Sequence, residues 1–198
     1  RDILRVKFLV GLFDHPYQID LKGADEEVEK AANEEIALQA SRESIVLLKN
    51  DKNILPLDAS GIQKIAVCGP NADEHSYALT HYGPLAVEVT SVLKGIQEKM
   101  KDKADVLYTK GCDLVDANWP ESELIDYPLT DEEQKEIEKA VDQTKQADVA
   151  VVVLGGGQRT CGENKSRSSL DLPGRQLDLL KAVAATGKPV VLVLIHGR

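Results

Sequence analysis

Three absences narrow the possibilities before any motif is considered. The 198-residue chain has no run approaching the ~20 consecutive apolar residues of a membrane-spanning helix. Its longest apolar stretches, Val149–Leu154 and Pro189–Ile195, have the length of strands, so a helical span is excluded. There is no basic surplus. The 24 Lys and Arg face 33 Asp and Glu, leaving a formal charge of −9; nucleic-acid binding calls for a basic face and is set aside. Cysteine is sparse. Cys68, Cys112 and Cys161 are odd in number and form no CxxC, which supports neither a disulfide framework nor a Cys-rich zinc site. Such thiols pack as small hydrophobes. The four histidines never fall at metal-ligand spacing, and neither a metal nor any other cofactor is expected. No signal peptide opens the chain. It starts at Arg1 inside a helical pattern and stops at Arg198 just after a strand, so a longer parent is expected on both sides.

What is present is enough apolar sequence for a core, in a regular order. Ile3, Val6 and Val10 recur at helical spacing and predict a helix over 3–13, closed by Gly11 and Pro16. Residues 14–24 read as a linker. A second helix is expected from Asp25 as N-cap, with Val28, Ala31, Ala32 and Ile36 on one face. The segments 44–50 and 53–57 predict a short hairpin turning at 49–53. From residue 60 onward strands and helices alternate. Strands are expected over 64–69, 105–109, 148–157 and 189–197. One helix is expected over 91–100. Another lies behind a Thr130/Glu133 capping box, with Ile137, Ala140, Val141 and Thr144 sharing a face. A third has Pro173 in its first turn and Leu177, Leu180 and Ala184 on one face, and ends at Gly187. Residues 112–129 form a long irregular segment that includes Trp119, read as a plug against the sheet or an aromatic stacking platform.

Two of the four strands are continuously apolar, as strands buried on both faces are. The fold class is therefore α/β: a doubly wound, mainly parallel sheet with helices on both sides. Ligands in this class meet the loops at the C-terminal strand ends, here beginning near Gly69, Gly111, Gly155 and Gly197. His196 closes the fourth strand and reads as a strand-end hydrogen-bonding residue.

The loop after the third strand, GGGQRTCGENKSRSSLDLPGRQ (155–176), is the most informative. A dinucleotide fingerprint fails because position 160 is Thr. A P-loop begins well with Gly157 and Gly162, but the Lys and Ser/Thr it requires are Glu163 and Asn164. A carboxylate is electrostatically wrong for cradling phosphate. What remains is a glycine-rich loop presenting Glu163 beside Lys165 and Arg167. On composition alone this is a solvated loop with an ordinary salt bridge. A catalytic carboxylate for glycosidic chemistry needs a second one, and none stands at matching spacing.

Five ordered segments shift that balance. GLFDHPY (11–17), ASRESIVLLKNDKNILPL (40–57), KIAVCGPNAD (64–73), ENKSRSSLDLPGRQ (163–176) and GKPVVLVLIHGR (187–198) resemble motifs of glycoside hydrolase family 3, the β-glucosidase and β-xylosidase family. Asn164 and Ser166 stand where many relatives have Gly and Asp. The resemblance implies a retaining β-glycosidase in the parent, with a two-domain active site. Its nucleophile, an Asp, would lie on a preceding (β/α)8-type barrel absent from this chain. Glu163 would be the general acid/base. Arg167, His81 and Tyr82 would be substrate-binding. Residues 1–24 would be the end of the barrel and a linker, and 25–198 the α/β-sandwich domain. The implied partners are a glycoside or oligosaccharide and the barrel itself; the implied location is the periplasm or outside the cell. The alternative is a non-catalytic carbohydrate-binding or interaction module of flavodoxin-like topology.

One carboxylate cannot both form and break a glycosyl-enzyme bond. The isolated chain is therefore expected to leave aryl β-glucosides and β-xylosides intact. Turnover above buffer, in a preparation free of host glycosidases, would contradict the two-domain reading.

Overall fold

The computed structural model describes residues 1–16, 20–28, 30–75 and 89–197. By contacts the chain falls into two units, Arg1–Asn53 and Ile54–Arg198. The boundary after residue 24 concerns the parent's domains and stays an expectation; contact density divides this chain at Asn53/Ile54.

The first unit is helical, with α1 at Asp2–Leu9, α2 at Leu21–Val28 and α3 at Ala31–Ser44. The expected single helix from Asp25 is in fact α2 and α3, interrupted before Ala31. The cap is Asp20, not Asp25. Its carboxylate accepts the Gly23 N–H at 2.9 Å, three residues into the turn, as an N-cap side chain does. The expected hairpin is absent. Residues 45–50 carry no strand, although the chain does turn at 51–52. Ile45, Val46, Leu47 and Leu48 are 64–78% exposed. Strand propensity reflects fit to a paired, half-buried surface, and no described segment pairs with this one.

The second unit is a four-stranded parallel sheet: β1 (Lys64–Cys68), β2 (Asp105–Thr109), β3 (Val149–Gly155) and β4 (Val190–Ile195), in spatial order β2-β1-β3-β4. The three intervening helices are α4 (Val92–Met100), α5 (Asp131–Gln146) and α6 (Gln176–Ala184). Side chains alternate faces along a strand, and both faces of β1 and β3 are buried. Ala66, Cys68, Val152 and Leu154 pack with Ile137 and Ala140 of α5 and Leu179 and Val183 of α6. Val67, Val151 and Val153 pack with Leu93 and Met100 of α4. Each fully buried Val or Leu contributes ~1.5–3 kcal/mol, so the central pair of strands holds the unit together. Asp148 ties the starts of β1 and β3, its Oδ2 accepting the Gln63 and Lys64 N–H groups at 2.8 and 2.9 Å. Those bonds, Lys64's first, hold its carboxyl below the usual range. The Thr130/Glu133 capping box of α5 is formed in both directions, and Ile137, Ala140 and Thr144 are its buried face.

Two details differ from expectation. Pro173 precedes α6 rather than entering it, and the buried face is Gln176, Leu179 and Val183, with Leu177 43% exposed. The turn at Gly174, φ +59°, sets the helix phase so that Gln176 points inward. β4 is only half buried, with Leu192 and Leu194 41% and 37% exposed, because it forms an edge of the described sheet.

The sheet reverses order between β1 and β3, and the loops leaving these two strands open the crevice where this class binds ligands. Both leave through glycine. A Cβ at Gly69, φ +112°, would sit 2.0 Å from the Val153 carbonyl oxygen; at Gly155, φ +142°, it would sit 1.8 Å from that of Ile195. Neither strand can move aside without breaking its ladder. Gly69→Ala and Gly155→Ala are each expected to cost several kcal/mol, on the order of 4 or more. Gly187→Ala, with open space around its Cβ at φ +76°, should cost only ~1–2 kcal/mol. Urea midpoints of the three variants check the order; equal midpoints would disprove the steric argument.

Candidate active site

The Glu163 loop is built from a rigid root outward. At the end of β3, the fully buried Gln176 side chain bonds both backbone groups of Gly155. Its Oε1 accepts the Gly155 N–H at 2.8 Å, and its Nε2 donates to the Gly155 carbonyl at 2.9 Å. The same Nε2 donates to the Leu114 carbonyl at 2.9 Å, joining the loop after β2 to the loop after β3. Gly156 N–H donates to the Ile195 carbonyl at 2.9 Å, and its own carbonyl accepts from Asn71 Nδ2 at 2.7 Å. Buried Thr160 closes the next turn, its Oγ1 accepting the Gly157 N–H at 3.0 Å.

Beyond Thr160 the chain emerges. Lys165 N–H bonds the Gly162 carbonyl at 3.2 Å, so Glu163 and Asn164 are the central residues of a tight turn. Asn164 has φ +61°, a conformation that Gly adopts freely and Asn tolerates. The turn therefore accepts Asn at this position. Glu163 is exposed, and its carboxylate has no hydrogen bond or ion pair among the described residues.

The loop then folds back at Arg167. The expected pair of Glu163 with a neighbouring cation does not form through Arg167. Its Nε instead donates to Glu123 Oε1, its Nη2 donates to the Asp171 carbonyl at 2.8 Å, and its guanidinium lies 5.1 Å from the Trp119 ring centre. The Arg167 and Glu123 side chains are 7% and 9% exposed. Ser168 adds two bonds to Glu123 Oε2, from N–H and Oγ–H, each 3.1 Å. Burial pushes the Glu123 carboxyl upward, but the bonds from Arg167 and Ser168 and the Arg167 charge outweigh it and hold it below its ordinary value. A carboxylate so held is a poor proton donor. Trp119 thus serves as a platform for Arg167. His81 and Tyr82 lie outside the described residues.

A cavity of about 190 Å³ lies against this loop, lined by Cys161, Arg167, Leu172, Leu192, Leu194 and His196 among others. Glu163 is not in its wall. No described helix is long and apolar enough to cross a membrane.

Gln176 falls inside a recognised motif, but nothing in the sequence reveals that it clamps Gly155. Glu123 carries no motif at all, and it meets Arg167 across 44 residues.

Comparison with known proteins bears on the whole arrangement. Residues 45–198 match the glycosyl hydrolase family 3 C-terminal domain. The chain is 40% identical to a β-xylosidase of Formosa agariphila, over 99% of this chain and 26% of that protein. It is 37% identical to the periplasmic β-glucosidase of Salmonella typhimurium, over 100% and 27%. A solved β-glucosidase involved in saponin metabolism from intestinal bacteria superimposes with a TM-score of 0.79 at 33% identity, covering 98% of this chain and 28% of that one. The chain therefore spans about a quarter of the length of the curated relatives it matches.

From sequence, the whole segment from Gly155 to Arg167 is expected to be mobile or displaced, since the barrel face implied as its packing partner is absent from this chain. The geometry narrows that to the turn. Amide exchange is expected to be slow at Gly155, Gly156 and Gly157, whose N–H groups are all bonded, and fast at Glu163 and Asn164. Uniform protection across 155–167 would show that the turn is held as firmly as its root.

Proposed function

Since the chain belongs to glycosyl hydrolase family 3, we propose that its parent is a retaining β-glycosidase acting on terminal β-linked sugars, and that Glu163 is the general acid/base. The observation that carries this reading is the placement of Glu163. It is an exposed carboxylate without a partner among the described residues, on a two-residue turn, in a loop whose root is locked at the switch point of the sheet. Such a group is free to meet a substrate while its foundation stays still. Glu123 does not compete for the role, because three donors stabilise its charged form.

In the proposed chemistry a carboxylate of the preceding barrel attacks the anomeric carbon. Glu163 gives its proton to the departing glycosidic oxygen. The ionised Glu163 then takes a proton from water, which attacks the same carbon and releases the sugar. No cofactor takes part. Relatives named as β-glucosidase and β-xylosidase support the substrate class, and the name of the Salmonella relative supports export to the periplasm. The arrangement of the barrel beside this domain is part of the proposal.

The role has a kinetic signature in the full-length parent. A sugar alkoxide is a poor leaving group and needs the proton; a nitrophenolate leaves largely unaided. Glu163→Ala is expected to slow glycosylation of a disaccharide by ~10²–10⁴-fold and that of a nitrophenyl glycoside far less. Azide, which needs no deprotonation, should then accelerate turnover of the nitrophenyl substrate. Small, equal losses on both substrates with no azide effect would move the acid/base role off Glu163.

A further inference from the structure

We infer that Glu123 is a positioning residue for Glu163, setting the far foot of the loop that carries it. The inference rests on the acid/base reading above. The loop has two feet. The first is continuous with β3 and is held by Gln176 and Thr160. The second, Arg167–Ser168, is held by a carboxylate from a different loop. Both oxygens of Glu123 are used, one by Arg167 Nε and the other by Ser168 N–H and Oγ–H.

Glu123 itself stands in a single 3-10 turn, Glu121–Glu123, of the loop after β2. That loop is tied to the first foot, because Gln176 bonds both Leu114 and Gly155. The two loops are thus joined at their roots by an amide and farther out by an ion pair. Trp119, from the same loop as Glu123, lies against the guanidinium. An exposed ion pair orients little; this one is nearly buried, and its charge-assisted bonds fix direction as well as distance. Because Glu123 is held below its ordinary value, it stays ionised at neutral pH and exchanges no proton with a substrate. Its effect passes through the backbone. Glu163 lies between Thr160 and Arg167, so releasing the second foot lengthens the strap that carries it, from Thr160–Arg167 to Thr160–Leu172, where the chain next packs on the core.

The experiment uses the full-length parent, with Glu123→Ala and the near-isosteric Glu123→Gln. For each variant kcat and KM are measured on a disaccharide and on a nitrophenyl glycoside, together with the pH profile of kcat/KM and the melting temperature. A misplacement of about 1 Å costs on the order of 10²-fold. Glu123→Ala is therefore expected to lower kcat on the disaccharide by ~10–10²-fold and on the nitrophenyl glycoside by much less, with KM little changed. The basic limb of the pH profile should persist, since the acid is still present, whereas Glu163→Ala should abolish it. Glu123→Gln keeps one acceptor and should fall between. If Glu123→Ala does not fold, Glu123→Gln is read by the same leaving-group criterion. Equal losses on both substrates, or none, alongside a Glu163→Ala variant that does show the leaving-group dependence, would overturn the positioning role alone. A Glu163→Ala variant without that dependence would overturn both readings.

Discussion

The amide of Gln176 is the interaction on which the rest of the site depends. A parallel strand that ends at a glycine-rich loop leaves backbone groups facing away from any further ladder. Each such buried group costs ~1–3 kcal/mol when unpaired. A glutamine side chain has the shape and polarity of a peptide, so one residue can satisfy both groups of Gly155. The arrangement also demands glycine at 155, since any side chain there would meet the Ile195 carbonyl. The loop therefore leaves the sheet at one fixed point and in one direction.

From that point the loops after β2 and β3 acquire different characters. The loop after β2 is bound to the sheet through Leu114 and brings forward Trp119 and Glu123. The loop after β3 is locked as far as Thr160, exposed through the turn, and captured again at Arg167. Glu163, on which the proposed reading rests, is exposed and without a partner among the described residues.

The two carboxylates illustrate how environment assigns roles. Glu123 accepts three hydrogen bonds and faces a guanidinium, and its charged form is the stable one. A group with a depressed value contributes its stabilisation above its unfolded value and loses it as pH falls through the folded one. The anchor therefore holds at neutral pH and fails only in acid. Glu163 has no such partners among the described residues.

By itself the sequence determined what depends on neighbouring residues. The alternation of strands and helices after residue 60, the buried apolar run of β3, the capping box at Thr130 and the stop at Gly187 are all local patterns, each contained within a turn or a strand. The motif around Glu163 was legible in the same way. Only the tertiary structure decided what depends on distant residues meeting. It set the partner of Arg167, 44 positions upstream in a loop without periodicity. It turned α6 to bury Gln176 rather than Leu177, because an amide was needed at the end of β3. It left 45–50 without strand structure, because strand propensity without a neighbouring strand forms no ladder. Short-range periodicity records how a segment can fold; which long-range partner satisfies its polar groups is set by where the sheet brings the loop ends together.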